Sequence, residues 1–218
     1  MAVELSYCVI NTERRQLLRY CLDAIARERA TVPFETEVIV LDNASRDGSA
    51  EAARAHPATT EVIALEARRG RVANEAALLE RARGRFCLVL DEDSELEPGA
   101  TAALHAALAG EERAGAACAT LVDADGTPQP SAWRMPAPPL PWLRGPLAAR
   151  GRGRVRRVAW CRLAAVLVRR EAAANAGPRD GDGDAEAAEL DFCRRLRRDG
   201  WRLLFVPEAR AVLHRAVD

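Results

Sequence analysis

Over residues 1–122, short apolar runs rich in β-branched side chains alternate with longer stretches of helical period, and few folds accept that order. A chain of this kind builds βαβ units around a mostly parallel sheet with helices on both faces. Strands are expected at 5–10, 37–41, 61–65, 85–90 and 116–122, and helices at 14–29, 49–55, 72–83 and 99–108. In the first helix Leu17, Leu18, Cys21, Leu22 and Ile25 recur at helical spacing and define a stripe that faces a core rather than a cofactor.

From Asp123 the pattern changes. Gly126-Thr127-Pro128 reads as a turn, and Pro136, Pro138, Pro139 and Pro141 exclude regular helix or central strand. Residues 144–157 hold six arginines and no acid, and the apolar run 158–168 predicts a buried strand or pair of strands leading to a short helix at 170–176. Residues 179–191 carry six acids against one arginine, which suits a mobile acidic loop entering a helix at 189–199. Gly200 closes that helix, and a last strand is expected at 201–206. With 49% hydrophobic letters in 218 residues, the expected fold class is α/β in a single domain. Its two halves are 1–122 and 123–218.

Composition closes several routes. Acids and bases balance at 32 each, so nothing global points to nucleic acid, and every cation is arginine, which excludes a lysine-dependent mechanism. The six cysteines are scattered, without a C-x-x-C pair or clustering with His56, His105 and His214, which argues against a zinc cage. No apolar run reaches the length of a membrane span and the first residues do not read as a signal peptide, so the expected compartment is reducing and cytoplasmic.

In an open parallel sheet, ligands sit at the carboxyl ends of the strands. Here those ends are polar: Asn11-Thr12-Glu13, then Asp42-Asn43-Ala44-Ser45, then Asp91-Glu92-Asp93. No glycine precedes Gly48, so the first turn is not a dinucleotide loop. A P-loop lacks its lysine, and no G-x-S-x-G elbow presents a nucleophilic serine. Carboxylates that hold a divalent cation are the alternative for a diphosphate, with hard oxygen ligands suited to Mg2+ or Mn2+. An acidic triplet by itself is more often a solvated loop.

The ordered set VLDNASRDGSAE (40–51), GRFCLVLDEDSELEPGA (84–100), DADGTPQPSAWRMP (123–136), AAVLVRREA (164–172) and ELDFCRRLRRDGWRLLFVPEARAVLH (189–214) resembles family 2 of the glycosyltransferases, and most of all its bacterial rhamnosyltransferase-like members. The resemblance spans nearly the whole chain. It implies a GT-A, Rossmann-like fold, and inverting transfer of a sugar from a UDP-, dTDP- or GDP-sugar donor with Mg2+ or Mn2+. It makes 1–122 the nucleotide-sugar half and 123–218 the acceptor half. Asn11, Glu13, Asp42, Asn43, Ser45, Asp91 and Glu92 fall to donor binding; Asp93 and His214 fall to the metal. The family's base opens the late helix within an E-D-x-D pattern, which this chain writes as Ala188-Glu189-Leu190-Asp191. Glu189 is then the expected base. Asp191 fits either the second acid of that pattern or an i,i+4 partner of Arg195.

Other departures shape the alternative. Arg68-Arg69-Gly70 and Asn74-Glu75-Ala76 stand where the family usually has Asn-x-Gly and a later Asn, and residues 177–184 replace an aromatic loop. Asp180, Asp182 and Asp184 imitate a calcium loop, but Ala185 stands where that loop requires glycine. The alternative is a catalytically degenerate scaffold that binds nucleotide or a protein partner. The arginines of 150–157 suit either an anionic acceptor at a membrane surface or a solvated linker. Trp133, Trp142 and Trp160 suit either a sugar ring or the core.

Overall fold

The computed structural model describes residues 2–133, 153–176 and 185–214. The expected prolines of 136–141, Trp142, the arginines of 144–152 and the acidic run 177–184 lie outside the described residues. The first half runs β1 (Leu5–Asn11), α1 (Arg15–Arg29), β2 (Thr36–Asp42), α2 (Ser49–Ala55), β3 (Glu61–Ala64), α3 (Arg71–Arg81), β4 (Phe86–Asp91), β5 (Ser94–Leu96), α4 (Ala100–Ala109) and β6 (Ala114–Asp123). The second half adds β7 (Pro128–Gln129), β8 (Ala132–Trp133), β9 (Arg156–Val158), β10 (Trp160–Cys161), β11 (Ala165–Arg169), α5 (Arg170–Ala176), α6 (Ala185–Arg198) and β12 (Arg202–Leu213).

The main sheet has the order β3-β2-β1-β4-β11-β6-β12-β5. β1 to β4, β6 and β12 all point one way; β11 is inserted between β4 and β6 in the opposite sense. Alternation along β1 shows why both faces are covered. Leu5, Tyr7 and Val9 join the core under α1 and α4, while Cys8 and Ile10 join the core under α3, α5 and α6. The helix α1 buries Leu18, Cys21, Leu22 and Ile25, as its stripe predicts. All six cysteines are buried and unbridged, behaving as small apolar side chains.

The sequence reading does not expect the short β5 in the first half, and the larger departures lie in the second half. The apolar run at 158–168 is divided among β9, β10 and β11, so part of the expected arginine-rich linker is strand. The late helix starts at Ala185, four residues early, because 185–188 are helix-favouring alanine and glutamate. The last strand does not stop at 206: past a register shift between Val206 and Arg210 it pairs with β5, with Leu213 opposite Ser94. That extension carries His214 to the end of β4. Among the described residues, no helix is long and apolar enough to cross a membrane.

Candidate functional site

At the carboxyl end of the sheet β1 and β2 finish in register, with Asn11 opposite Asp42. Both are buried. Asn11 Nδ2 donates to Asp42 Oδ1 at 2.9 Å and to Ser45 Oγ at 3.2 Å. The Ser45 amide donates to Asp42 Oδ2 at 3.0 Å, and the Glu13 amide donates to Ser45 Oγ at 2.9 Å. These bonds hold Glu13 and Ala44 in the left-handed region, each with φ of 55°, a conformation that costs about 1 kcal/mol for a residue with a Cβ. Asn43 clamps the segment after β3: its Oδ1 accepts from the Arg69 amide at 2.8 Å and its Nδ2 donates to the Arg69 carbonyl at 3.1 Å.

Asp47 ties the helix starts together, accepting from the amides of Arg15 and Ser49. Burial alone would raise its carboxyl, but the Ser49 hydroxyl and the two amides outweigh it and hold the group below the usual carboxylate range. Beside these loops lies a cleft of about 570 Å³ lined by Glu13, Ala44, Ser45, Arg46, Leu65 and Arg68. The Glu13 carboxylate and Arg68 guanidinium meet there at 2.8 Å.

Next to β1, β4 ends at Asp91 and the chain turns at Glu92 and Asp93 before β5. Arg71 NH1 lies 2.9 Å from the Asp91 carboxylate, and Arg14 lies 3.6 Å from both Glu92 and Asp93. Burial, together with Asp91 and Asp93, pushes Glu92 up to about 7 against the pull of Arg14. Burial and Asp91 raise Asp93 in the same way. The His214 amide donates to the Asp93 carbonyl at 2.9 Å, and its Nε2 lies 2.8 Å from Glu95, which also meets Arg27 at 2.7 Å.

Among the described residues, no three His, Cys, Asp or Glu side chains gather into a ready metal cage. The His214 backbone lies beside the Asp93 carbonyl, while the two side chains are engaged separately, Asp93 by Arg14 and His214 by Glu95, so that a cation held by both would have to displace these pairs.

From the other side of the sheet α6 brings Glu189, only 8% exposed, whose Oε1 accepts the Leu163 amide at 3.0 Å. Burial raises its carboxyl, with the Leu163 amide, Arg71 and Arg162 opposing. Asp191 is not gathered into this group; it stands half-exposed with its carboxylate 2.9 Å from Arg195 Nε, the i,i+4 pair. Arg71, Arg14 and Leu163 are site residues that sequence reasoning missed; an arginine in an arginine-rich chain gives no local signal. Trp133 and Trp160 stack on one another, with ring centroids 3.7 Å apart.

The family model described as "Glycosyl transferase family 2" matches residues 6–175. Among curated proteins the chain is 29% identical, over 88% of its own length and 72% of the relative's, to N-acetylglucosaminyl-diphospho-decaprenol L-rhamnosyltransferase of Mycobacterium tuberculosis. Among solved structures it is similar to GalNAc-T7 with UDP, GalNAc and Mn2+, with TM-score 0.74 and 17% identity over 98% of this chain and 44% of that one. It is also similar to the mannosyltransferase PcManGT from Pyrobaculum calidifontis in complex with GDP-Man and Mn2+, with TM-score 0.70 and 18% identity over 97% of this chain and 57% of that one. The chain thus spans about half the length of these solved neighbours, and the likeness carries the GT-A fold.

Proposed function

Because the chain belongs to glycosyl transferase family 2, we propose that it moves a sugar from a nucleotide diphosphate donor to an acceptor hydroxyl with inversion. The observation that carries this reading is the convergence of acids on one sheet edge. Asp42 and Asp91 end strands on either side of β1, and Glu189 arrives from α6 within the same electrostatic neighbourhood as Asp91.

The residues divide the work by position. The Asn11–Asp42–Ser45 knot and the Asn43 clamp present a rigid wall for the nucleoside, with Glu13 at its rim. Asp91 and Glu92 are assigned to the ribose and donor sugar. Asp93 and His214 would hold Mg2+ or Mn2+, which when bound supplies Lewis-acid stabilisation to the departing diphosphate. Glu189 takes the proton from the acceptor hydroxyl. Its Oε1 receives the Leu163 amide, so Oε2 is the atom assigned to that proton. Asp191 lies two residues on, near the opposite face of the helix, and acts on the acceptor only if it leaves Arg195.

A lipid-linked diphosphate acceptor is the reading that the name of the mycobacterial relative supports. Exposed Arg154 and Arg157, beside and within β9, suit an anionic acceptor presented at a membrane surface. The second reading, a scaffold that binds without turnover, is favoured by Arg71 and Arg14 already lying against the acids. Calorimetry of UDP, dTDP and GDP, each with and without Mn2+, tests the donor site. Metal-dependent binding of one nucleotide supports it; folded protein that binds none of them in either condition overturns it.

A further inference from the structure

One arginine lies between the two acids that the proposed transfer needs on opposite sides of the reacting bond. Arg71 is the first residue of α3. Its NH1 meets Asp91 at 2.9 Å, its Nε meets the buried Glu75 at 2.8 Å, and its NH2 reaches toward the Leu163 carbonyl at 3.5 Å. Leu163 is the same residue whose amide holds Glu189 Oε1 at 3.0 Å. The acid and the arginine therefore grip one residue from its two ends.

We propose that Arg71 is the positioning residue for Glu189: it fixes the Leu163 segment on which that acid rests and supplies the positive charge that keeps it a carboxylate inside the protein. An unsupported acid at this depth takes up a proton, since the interior solvates a carboxylate poorly. The charged and titratable groups that face Glu189 are Arg71 from α3, Arg162 from the turn between β10 and β11, Asp91 from β4, and the thiols of Cys161 and Cys193. The thiols remain protonated in the buried core, where contact with neighbouring thiols and burial both raise them. Arg162 is exposed, so water and salt screen it, while Arg71 is largely covered by the acids around it. Arg71 is thus the cation whose field reaches Glu189 with the least screening. It also ties that field to Asp91 on the donor side.

The inference rests on the proposed transfer for its meaning, but its test does not. The infrared carboxylate signal that disappears in Glu189→Gln is followed against pH in the parent protein, Arg71→Gln and Arg71→Lys. The midpoint is expected to rise by about one pH unit in Arg71→Gln and to return most of the way in Arg71→Lys, which restores the charge. Should Arg71→Gln fail to fold, the Arg71→Gln/Glu75→Gln pair removes the uncompensated buried acid and carries the same expectation. An unchanged midpoint in the folded variants overturns the inference. A sugar-transfer assay then separates the two readings. Transfer with an unmoved midpoint sinks only the role of Arg71, whereas a moved midpoint without any transfer supports that role and counts against the function.

Discussion

At the β1–β2 end of the sheet the loops are held by hydrogen bonds to one another, whereas at the β4–α6 end the acids face cations and a single amide. Asp42 receives two donors and Asn43 binds both polar atoms of one peptide group. Asp91, Glu92 and Asp93 instead crowd together with Arg14 and Arg71, and two of them are raised by burial and mutual repulsion. The first end is a rigid wall whose shape exists before any ligand arrives. The second is a charge-sensitive corner that responds to protons and cations. On the proposed reading, recognition of the constant part of a donor would belong to the wall and chemistry to the corner.

The sharpest break between the two ends comes from Glu189→Gln. Transfer should fall about 1,000-fold, near 4 kcal/mol in barrier, while nucleotide binding measured by calorimetry stays at the parent level. Full turnover would remove Glu189 from the role of base. The same variant has a stability signature with a definite sign. The folded carboxyl is raised, so its favourable contribution is complete below the unfolded value and is lost as pH climbs through the folded one. Gln accepts the Leu163 amide without ionising. In urea unfolding, Glu189→Gln should therefore gain on the parent as pH rises through and above the ordinary carboxylate range. A gain that is constant with pH would contradict the buried-acid reading.

Asp42→Ala attacks the wall. Asn11 Nδ2 and the Ser45 amide lose their shared acceptor, and the loss in unfolding free energy is expected at about 3 kcal/mol, with nucleotide binding lost alongside it. Asp42→Asn, which keeps one acceptor, should lose less. Asp93→Ala attacks the corner and should separate cleanly from it. Folding should be nearly unchanged, because Arg14 is 3.6 Å away, while the Mn2+-dependent part of nucleotide binding drops at least about tenfold, or about 1.4 kcal/mol. Equal binding with and without Mn2+ in the parent would remove the comparison altogether.

The wall was legible in the letters and the corner only partly so. β1, β2 and β4 announce themselves as continuous apolar runs, and the polar residues just past each run fall at the sheet edge by the geometry of parallel strands. His214 could be placed by resemblance alone, since its position depends on β12 continuing past Pro207 to pair with β5. The reversed β11 was equally hidden, because an apolar run carries no direction. Arg71 gave no signal: its partners Asp91 and Leu163 lie 20 and 92 residues away, and only tertiary structure brings them together. Local pattern records which face is buried, while charge compensation is a property of the assembled edge.

The smallest effect decides between two readings of one residue. Asp191 has the spacing of an i,i+4 pair and forms it, with the carboxylate about half exposed and 2.9 Å from Arg195. An exposed helical pair of this kind contributes about 0.4 kcal/mol, so Asp191→Ala should lower stability by no more than that. If Asp191 is only a surface partner, transfer and the acceptor KM stay at parent values. If it joins the acceptor site, KM rises while donor nucleotide binding is untouched, because the donor wall lies across the sheet edge from α6. A change in donor binding would fit neither reading and would mean that α6 moves as a unit when its outer face is altered.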